Sequence, residues 1–244
     1  MTGEMPASPP DEDDLHAVIS GALLSARLPP GAPLRELALA DVFGVSREKV
    51  RKVLQRLGTE KLLDLVPNRG AFVATPTLEQ AREIYEARRI LEGGIVGHLA
   101  QMLDAASARE LRAHLQRESE AAAAGDRAAS IRLSGEFHQL LARATGSAFI
   151  ERELRHLVSR TSMLVALFEP AQSTRCACEE HAEITAALLA GDGPGAMKAM
   201  QRHLALIETR LRPVRGLPAE DPVEVLRAEW KAFRKAGRAR RTGG

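Results

Sequence analysis

The sequence predicts a mainly α-helical protein, in which a small N-terminal domain with a β-hairpin precedes an all-α antiparallel helical bundle. The chain has 244 residues, which allows one large or two modest domains. It is rich in Ala, Leu, Arg and Glu and has few runs typical of strands, a composition that favours helices. Hydrophobic residues make up 45% of the chain and aromatic residues only 3%, so Leu, Ala and Val must build the core.

The domain organisation follows from changes in composition along the chain. The Pro- and Ser-containing start is typical of a disordered segment. Thr75-Pro76-Thr77 is a short hinge, and Thr77 and Gln80 have the spacing of a capping box that begins a new helix. We expect a disordered N-terminus at residues 1–11, a first domain at 12–76, a helical bundle at 77–213 and a C-terminal extension with a basic tail at 214–244.

The first domain contains a helix-turn-helix pattern. A first helix over about residues 11–26 is broken by Pro29-Pro30-Gly31. Gly44 stands where a tight turn needs a positive φ, and Ser46 is a good N-cap for a helix over about residues 47–57. Apolar residues at helical spacing form the buried face of that helix: Val50, Val53, Leu54 and Leu57.

The other face of this helix is basic, with Arg47, Lys49, Arg51, Lys52 and Arg56. Arg47 and Lys49 lie in the first turn, where the helix dipole disfavours each cation by roughly 0.3–1 kcal/mol. Cations at that end make sense where phosphates or guanine edges meet them. The pattern therefore indicates a DNA-recognition helix.

A β-hairpin follows the basic helix. Apolar runs at residues 62–66 and 71–74 flank Pro67-Asn68-Arg69-Gly70, which is rich in turn-forming residues. Arg69 at the tip can enter a minor groove. The turn, the basic helix and the Arg-tipped wing, in this order, predict a winged helix-turn-helix that binds DNA. The alternative is a small helical domain with a solvated basic face.

Three segments, PPGAPLREL, GVSREKVRKVL and VPNRGAFV, resemble the DNA-binding domain of the GntR family of bacterial repressors, in its FadR-type branch, over residues 12–76. Such proteins usually have Ser-Arg-Thr-Pro-Val-Arg where this chain has SREKVR, so the bases read at the two differing positions stay open. Glu48 can accept from a cytosine amine or form a surface ion pair. The residues expected at the DNA are Arg35, Ser46, Arg47, Glu48, Lys49, Arg51, Asn68, Arg69 and Gly70.

The second domain is predicted to contain about six helices and no convincing strand, over residues 78–103, 107–124, 127–145, 148–168, 173–190 and 194–211. Ser107 and Glu110 form a second capping-box pattern. Glycine-containing breaks separate the helices. A bundle of this size fits an antiparallel helical domain with a central cavity.

Three histidines fall on different helices of the bundle: His138, His181 and His203. Taken alone, each is more often a satisfied surface or core histidine than a ligand. Residues 78–212 resemble the FadR-type C-terminal effector (FCD) domain. Many of its members carry an Asp four residues before a Phe-His pair and two further histidines on the last two helices, and these side chains bind a divalent metal beside a ligand cavity. The resemblance implies that the three histidines bind Zn or Ni.

Ser134 stands at the position of that Asp. It lies one turn before His138 and shares its helix face, but a hydroxyl is a poor ligand for Zn²⁺ or Ni²⁺. Three histidines and a water molecule can still hold a metal, with open positions for an effector carboxylate. We expect a weaker site than in members with the Asp. Glu136 faces away from His138 and is a poor substitute.

Arg88 matches a position near the cavity that is commonly basic in such domains. We expect it to bind an effector carboxylate, and the alternative is a surface salt bridge with Glu92. Cys178 shares a helix face with His181, which leaves a thiolate ligand as a minor alternative. Cys176 and Cys178 are too close together to suggest a structural disulfide framework.

The C-terminal extension is predicted to form a helix over about residues 221–236. Residues 231–241 are strongly basic, and we expect a disordered solvated tail, with nonspecific DNA contact as the alternative. The net charge of the whole chain is only +2, so the basic excess is local, which argues against a bulk nucleic-acid coat protein. The chain has no signal peptide and no apolar run near the ~20 residues of a membrane helix, so we expect a cytoplasmic protein.

These expectations combine into one function. The sequence predicts a bacterial transcription regulator and not an enzyme: a homodimeric repressor that binds a palindromic double-stranded operator and responds to a small organic acid. One alternative is a metal-responsive regulator in which the ion is the signal. A metal-dependent hydrolase is a weaker alternative, because no carboxylate beside the histidines presents itself as a general base.

Overall fold

The computed structural model describes residues 10–170, 174–212 and 220–242, which form helices and three short strands in two compact units. The elements are α1 (Glu12–Leu24), β1 (Pro33–Leu34), α2 (Glu36–Phe43), α3 (Arg47–Thr59), β2 (Leu63–Val66), β3 (Gly70–Val73), α4 (Leu78–Met102), α5 (Ala105–Ala123), α6 (Arg127–Ala144), α7 (Ala148–Phe168), α8 (Thr174–Leu189), α9 (Gly193–Arg210) and α10 (Pro222–Thr242). The first unit contains α1–α3, the strands and α10, and the second contains α4–α9. The predicted fold class is confirmed. The expected disordered N-terminus, residues 1–11, lies outside the described residues except for its last two.

The helix-turn-helix of the first unit forms as its turn residues predict. α2 ends at Phe43, and Gly44 follows in the left-handed conformation with φ 67°. The Ser46 side chain caps α3 by accepting a hydrogen bond from the Lys49 backbone N–H at 3.2 Å. The buried face of α3 includes all four apolar residues that define its helical spacing.

The wing is part of a three-stranded antiparallel sheet with the order β1-β3-β2. In the hairpin, Val66 pairs with Gly70, and the turn places Asn68 and Gly70 at φ 60° and 100°. The sequence did not predict β1, which pairs Pro33 with Phe72. A two-residue edge strand that starts with proline has no alternation pattern to detect.

Helix α10 belongs to the first unit and packs against α2 and β1. Val225, Leu226 and Trp230 are buried, and the Trp230 ring meets Phe43 edge-to-face at 5.5 Å. The expectation of a separate extension with a disordered tail at 231–241 is therefore corrected, since α10 continues to Thr242. The anchoring of an apolar face against another element stabilises a helix in a way that composition does not reveal.

The six helices of the second unit match their predicted bounds to within two residues. The Thr77–Gln80 capping box is confirmed at the start of α4. The Ser107–Glu110 box is wrong, because Asp104 is the N-cap and accepts a hydrogen bond from the Ser107 backbone N–H at 2.6 Å. A start at Ala105 adds good helix formers and a cap of equal quality. None of the described helices is long and apolar enough to cross a membrane.

The core of the second unit is mainly aliphatic, with Tyr85 and Phe137 as its fully buried aromatic residues. α4 packs against α9 and α7, while α6 packs against α5 and α7. Polar residues are nevertheless buried in this unit: Arg88, Glu92, His114, Glu118, Ser130, His138, Thr161, Glu169, Glu180, His181, Thr185 and His203. Buried polar groups destabilise a fold unless they are paired. The contacts that these buried polar side chains make with one another identify the candidate site.

Candidate functional site

Three buried histidines from three helices of the second unit converge. His138 lies on α6, His181 on α8 and His203 on α9, and each is 1% exposed or less. The Nε2 atom of His203 is 3.2 Å from Nε2 of His181 and 3.3 Å from Nε2 of His138. One ring nitrogen of each histidine lies within 4.8 Å of the others. The fold thus brings together three histidines whose spacing in the sequence does not indicate that they converge.

The opposite nitrogen of each ring faces a carboxylate. Nδ1 lies 2.5 Å from Glu92 in His138, 2.9 Å from Glu118 in His181 and 2.7 Å from Glu180 in His203. An ionised carboxylate only accepts hydrogen bonds, so the bonds to Glu118 and Glu180 place the proton of His181 and His203 on Nδ1 and a lone pair on Nε2. The carboxylate of Glu92 favours the same tautomer in His138 by its proximity, since the angle of that contact lies outside hydrogen-bond geometry. Three lone pairs then face one another with no proton between them, an arrangement that a bound cation stabilises.

The spacing of these nitrogens fits a divalent transition metal. Zn–N bonds of about 2.0–2.1 Å place two tetrahedral ligand atoms about 3.3 Å apart, close to the two measured separations. Imidazole suits both Zn and Ni. Carboxylates behind the rings are the outer partners that orient and polarise histidine ligands in metal sites.

Ser134 lies on α6 one turn from His138 and lines the same cavity. Among the described residues, the group that could hold a metal contains the three histidines and no carboxylate. Glu136 instead pairs with Arg132 at 2.5 Å and is half-exposed. The donor set is therefore neutral.

Burial keeps His138 and His203 in the neutral form that binds metal. Desolvation lowers the pKa of His138 to about 4, despite the carboxylate of Glu92. Desolvation also lowers the pKa of His203 well below its ordinary value. Burial alone would raise the pKa of Glu92, but the charge of Arg88 and the contacts with His138 together outweigh burial and lower that pKa to about 2. His138 and His203 are thus neutral near pH 7 while Glu92 is ionised.

Sequence reasoning missed the three carboxylates. Glu118 stands 63 positions from His181, and no spacing rule connects them. Glu180 precedes His181 in the sequence but serves His203. Only Glu92 had a signal, its position one turn after Arg88, which gave the alternative of a salt bridge at the surface.

A cavity lies beside His138. Its volume is about 40 Å³, which is room for a few water-sized groups. Apolar residues form part of the wall, and the polar part combines hydroxyls with charged groups: Tyr85, Ser130, Ser134, Thr161, Ser162, Arg88, Glu118 and Glu169. This lining suits a small polar molecule.

Arg88 is buried in the cavity wall. Its Nε donates to Glu92 at 2.6 Å and its Nη1 donates to the Thr161 hydroxyl at 2.7 Å. Its Nη2 and the Tyr85 hydroxyl have no partner among the described residues. A buried donor without a partner costs about 1–3 kcal/mol. The salt bridge with Glu92 exists but is buried, and it leaves one edge of the guanidinium available to an anion.

Cys178 lies on the cavity wall and outside the group of converging nitrogens. Burial raises the pKa of its thiol to about 11, so the thiol is protonated near neutral pH and is a poor ligand. The side chain of Cys176 lies outside the described residues.

The residues expected at the DNA lie on α3, its N-cap, the start of α2 and the wing of the first unit. All of them are exposed except Lys49, which is half-buried and donates from Nζ to the Pro10 carbonyl at 2.8 Å. Arg35 is the N-cap residue of α2. Arg69 lies on the wing with its guanidinium 5.6 Å from the Phe72 ring centre.

The charges of α3 are paired within the unit. Arg51 donates two hydrogen bonds of 2.8 Å to the carboxylate of Glu36, and Arg47 donates to the same group at 3.3 Å. Glu48 lies 3.9 Å from Lys52, which is the ion-pair alternative for this residue. Glu36 therefore fixes the two arginines of the recognition helix side by side.

Comparisons with known proteins agree with both units. The bacterial regulatory protein gntR family matches residues 13–73, and the FCD domain matches residues 83–206. A relative from Paenarthrobacter nicotinovorans, named "Probable D-xylose utilization operon transcriptional repressor", is 31% identical over 75% of this chain and 80% of its own. The Escherichia coli repressor RspR is 24% identical over 88% and 96% of the two chains.

A solved structure has the same fold. A GntR-type protein from Rhodococcus sp. RHA1 matches 81% of this chain and 95% of its own, with 26% identity and a TM-score of 0.68. The matched domains stand in the order that the two units have along the chain. The chain belongs to the GntR family of bacterial transcriptional regulators, with a winged helix-turn-helix followed by an FCD domain.

Proposed function

We propose that this regulator is a cytoplasmic, homodimeric repressor whose hold on operator DNA is changed by a small organic acid bound beside a metal. The observation that carries the proposal is the convergence of three carboxylate-backed histidines next to a cavity with an unpaired Arg88 donor. A purely structural polar cluster would satisfy its own donors.

The residues of the cavity divide the recognition of an acid between them. The free Nη2 of Arg88 and the hydroxyl of Tyr85 donate to carboxylate oxygens, and Glu92 holds the guanidinium in place. The wall hydroxyls accept and donate for the polar groups of the molecule. His138, His181 and His203 hold the metal, which when bound supplies open Lewis-acid positions for an oxygen ligand.

In the DNA-binding unit, α3 enters the major groove of each half-site of a palindrome, with one copy from each protomer. Arg47 and Arg51 reach base edges or phosphates, and the wing places Arg69 at the adjacent minor groove. The small acid favours one population of the regulator, and the default state without it is repression.

The test combines metal analysis with DNA binding. Protein purified without chelator is analysed for metal as wild type, His181→Ala and His98→Ala, the last a control for an exposed histidine on α4. We expect about one metal per chain in wild type and control and none in His181→Ala. Metal-free wild-type protein would contradict the metal part of the proposal.

The same proteins are then titrated with small carboxylates at constant metal while DNA binding is followed by anisotropy. We expect one class of acid to change the affinity at least several-fold, and Arg88→Lys, which keeps the charge but loses the planar donor pair, to weaken that response. A response to metal alone, with no acid effective, would instead support a metal-responsive regulator.

A further inference from the structure

The DNA-binding unit has an unusual charge distribution. Residues 1–75 contain nine Lys and Arg against ten Asp and Glu, so the winged helix-turn-helix is close to neutral. Residues 231–244 contain six Lys and Arg and no acidic residue. Because duplex DNA is bound largely through its phosphates, a basic patch is the usual mark of a DNA-binding surface. Here the positive charge of the unit comes from its C-terminal end.

The cations of α3 are already engaged. Glu36 holds Arg47 and Arg51, Lys49 donates to Pro10, and Arg56 pairs with Asp13 at 2.6 Å. These exposed pairs contribute little to stability and their cations can exchange partners. They nevertheless supply little net positive potential to attract a polyanion.

Helix α10 is anchored beside the helix-turn-helix. Trp230 packs on Phe43, the last residue of α2, and Arg227 lies 3.7 Å from Asp41. An ion pair between Arg27 and Glu229 adds a second attachment. The first half of α10 therefore fixes the helix on the unit.

The basic half begins directly after this anchor. Lys231, Arg234 and Lys235 are exposed, and none of them forms an ion pair with a described residue. The guanidinium carbon of Arg234 lies 5.8 Å from the Trp230 ring centre, so this cation stays close to α2. Cations near a helix C-terminus also stabilise the helix dipole, which is the competing explanation.

We propose that the basic half of α10 is a second DNA-contact surface of this regulator, which binds the phosphate backbone of the duplex while α3 and the wing read the bases. The occupant is duplex DNA because Lys231, Arg234 and Lys235 are exposed cations, have no ion pair among the described residues and lie on a helix fixed to the DNA-binding unit. Phosphate contacts carry no sequence information. The surface therefore raises affinity for all sequences alike.

The test is the salt dependence of DNA affinity in the full-length protein. Lys231, Arg234 and Lys235 are changed together to Gln, and Kd is measured between 50 and 200 mM KCl on a duplex selected by the wild-type protein and on a scrambled one. Each lost phosphate contact reduces the slope of log K against log salt by about 0.9, so three reduce it by about 2.7. The affinity should fall by a similar factor on both duplexes.

Two further variants separate the explanations. Arg82→Gln, Arg112→Gln and Lys198→Gln together remove the same charge from exposed positions of the FCD unit and should leave the slope unchanged. Ala232→Lys adds a cation at an exposed position of α10 and should steepen the slope by about 0.9, which loss of folding cannot do. Trp230 is the single tryptophan, so its emission reports whether α10 keeps its place.

A wild-type slope in both α10 variants would overturn the proposal and leave helix stabilisation as the role of the cations. An equal loss of slope in the FCD control would also overturn it. DNA binding by α3 is tested separately, because Arg47 and Arg51 are intact in all these proteins.

Discussion

The DNA-binding unit and the histidine centre use paired charges in opposite ways. In the DNA-binding unit, cations such as Arg51 lie at the surface, and their partners, such as Glu36, are partly exposed. In the FCD unit, Arg88, Glu92 and His138 form a buried chain of contacts. Exposed pairs contribute about 0–1 kcal/mol and exchange easily for phosphates, whereas removal of one member of a buried pair costs about 3–5 kcal/mol.

This difference means that single substitutions in the DNA-binding unit should have small effects, whereas single substitutions in the histidine centre should have large ones. Each surface pair acts nearly alone, so its loss changes DNA affinity by a modest factor. Arg88 contacts Glu92, and Glu92 contacts His138, so the loss of one member leaves a buried neighbour without its partner. The predictions below test this contrast, from the largest expected effect to the smallest.

The largest effect is expected for His203→Ala, because Nε2 of His203 contacts the rings of both other histidines. Structural zinc sites bind with about 10–16 kcal/mol in total, so one of a few ligands contributes on the order of 3 kcal/mol. We expect metal affinity to fall by a factor of a hundred or more, as measured by competition with a chelating dye. His98→Ala is the control, and retention of tight binding in His203→Ala would refute the three-histidine site.

Acid should destabilise the FCD unit of the metal-free protein over a defined pH range. His138 has an ordinary pKa of 6.5 when unfolded and about 4 when folded, so the unfolded chain binds more protons between these values. The stabilising contribution is complete above pH 6.5 and is lost as pH falls to 4, by about 3 kcal/mol at most. Thermal unfolding of metal-free protein, with a chelator present, at pH 7, 5.5 and 4.5 measures this loss of stability. A constant Tm over this range would contradict the buried neutral state of His138.

Sequence reasoning predicts contacts between residues that are close in the chain, but it does not predict contacts between residues that are far apart in it. Gly44 and Ser46 act within one turn of chain, so turn chemistry alone predicted them correctly. Glu118 meets His181 across 63 positions, and only the packing of α5 on α8 joins them. The residues of the triad could be named from a family resemblance, but the carboxylates behind them could not.

The position of α10 was also beyond sequence reasoning. Its basic half is typical of a disordered tail, while the anchor at Trp230 is a single aromatic residue with no partner visible in the sequence. Asp104 and Ser107 illustrate a smaller ambiguity, since both have the character of an N-cap and only hydrogen-bond geometry decides between them. Competing local signals are settled by the packed structure.

A moderate effect is expected for Glu118→Gln, because an amide keeps the shape of the side chain but loses the charge that polarises His181. Changes of such outer partners lower metal affinity by about 10–100-fold. The same dye competition measures it, with Glu136→Gln, at a half-exposed position of the neighbouring helix, as the control. Equal affinities in wild type and Glu118→Gln would mean that the carboxylate serves only packing.

The smallest effect is expected for Glu36→Gln in the DNA-binding unit. Glu36 holds Arg51 and Arg47 side by side, and the hydrogen bond from Arg51 is the main cause that lowers the pKa of its carboxyl. Its loss removes a negative charge near the DNA, so binding to a scrambled duplex should tighten by about two- to five-fold. The arginines also lose their fixed orientation, so the ratio of affinities for selected and scrambled duplexes should fall.

Asp41→Asn is the matched control, since it removes the same charge from the same helix but leaves Arg47 and Arg51 paired. Both variants should bind scrambled DNA more tightly, and only Glu36→Gln should lose discrimination between the two duplexes in anisotropy titrations at fixed salt. If the two variants discriminate equally well, Glu36 affects DNA binding through its charge alone. The surface ion pairs of the DNA-binding unit would then affect DNA binding only through their charge, whereas each contact of the buried histidine centre has a specific partner.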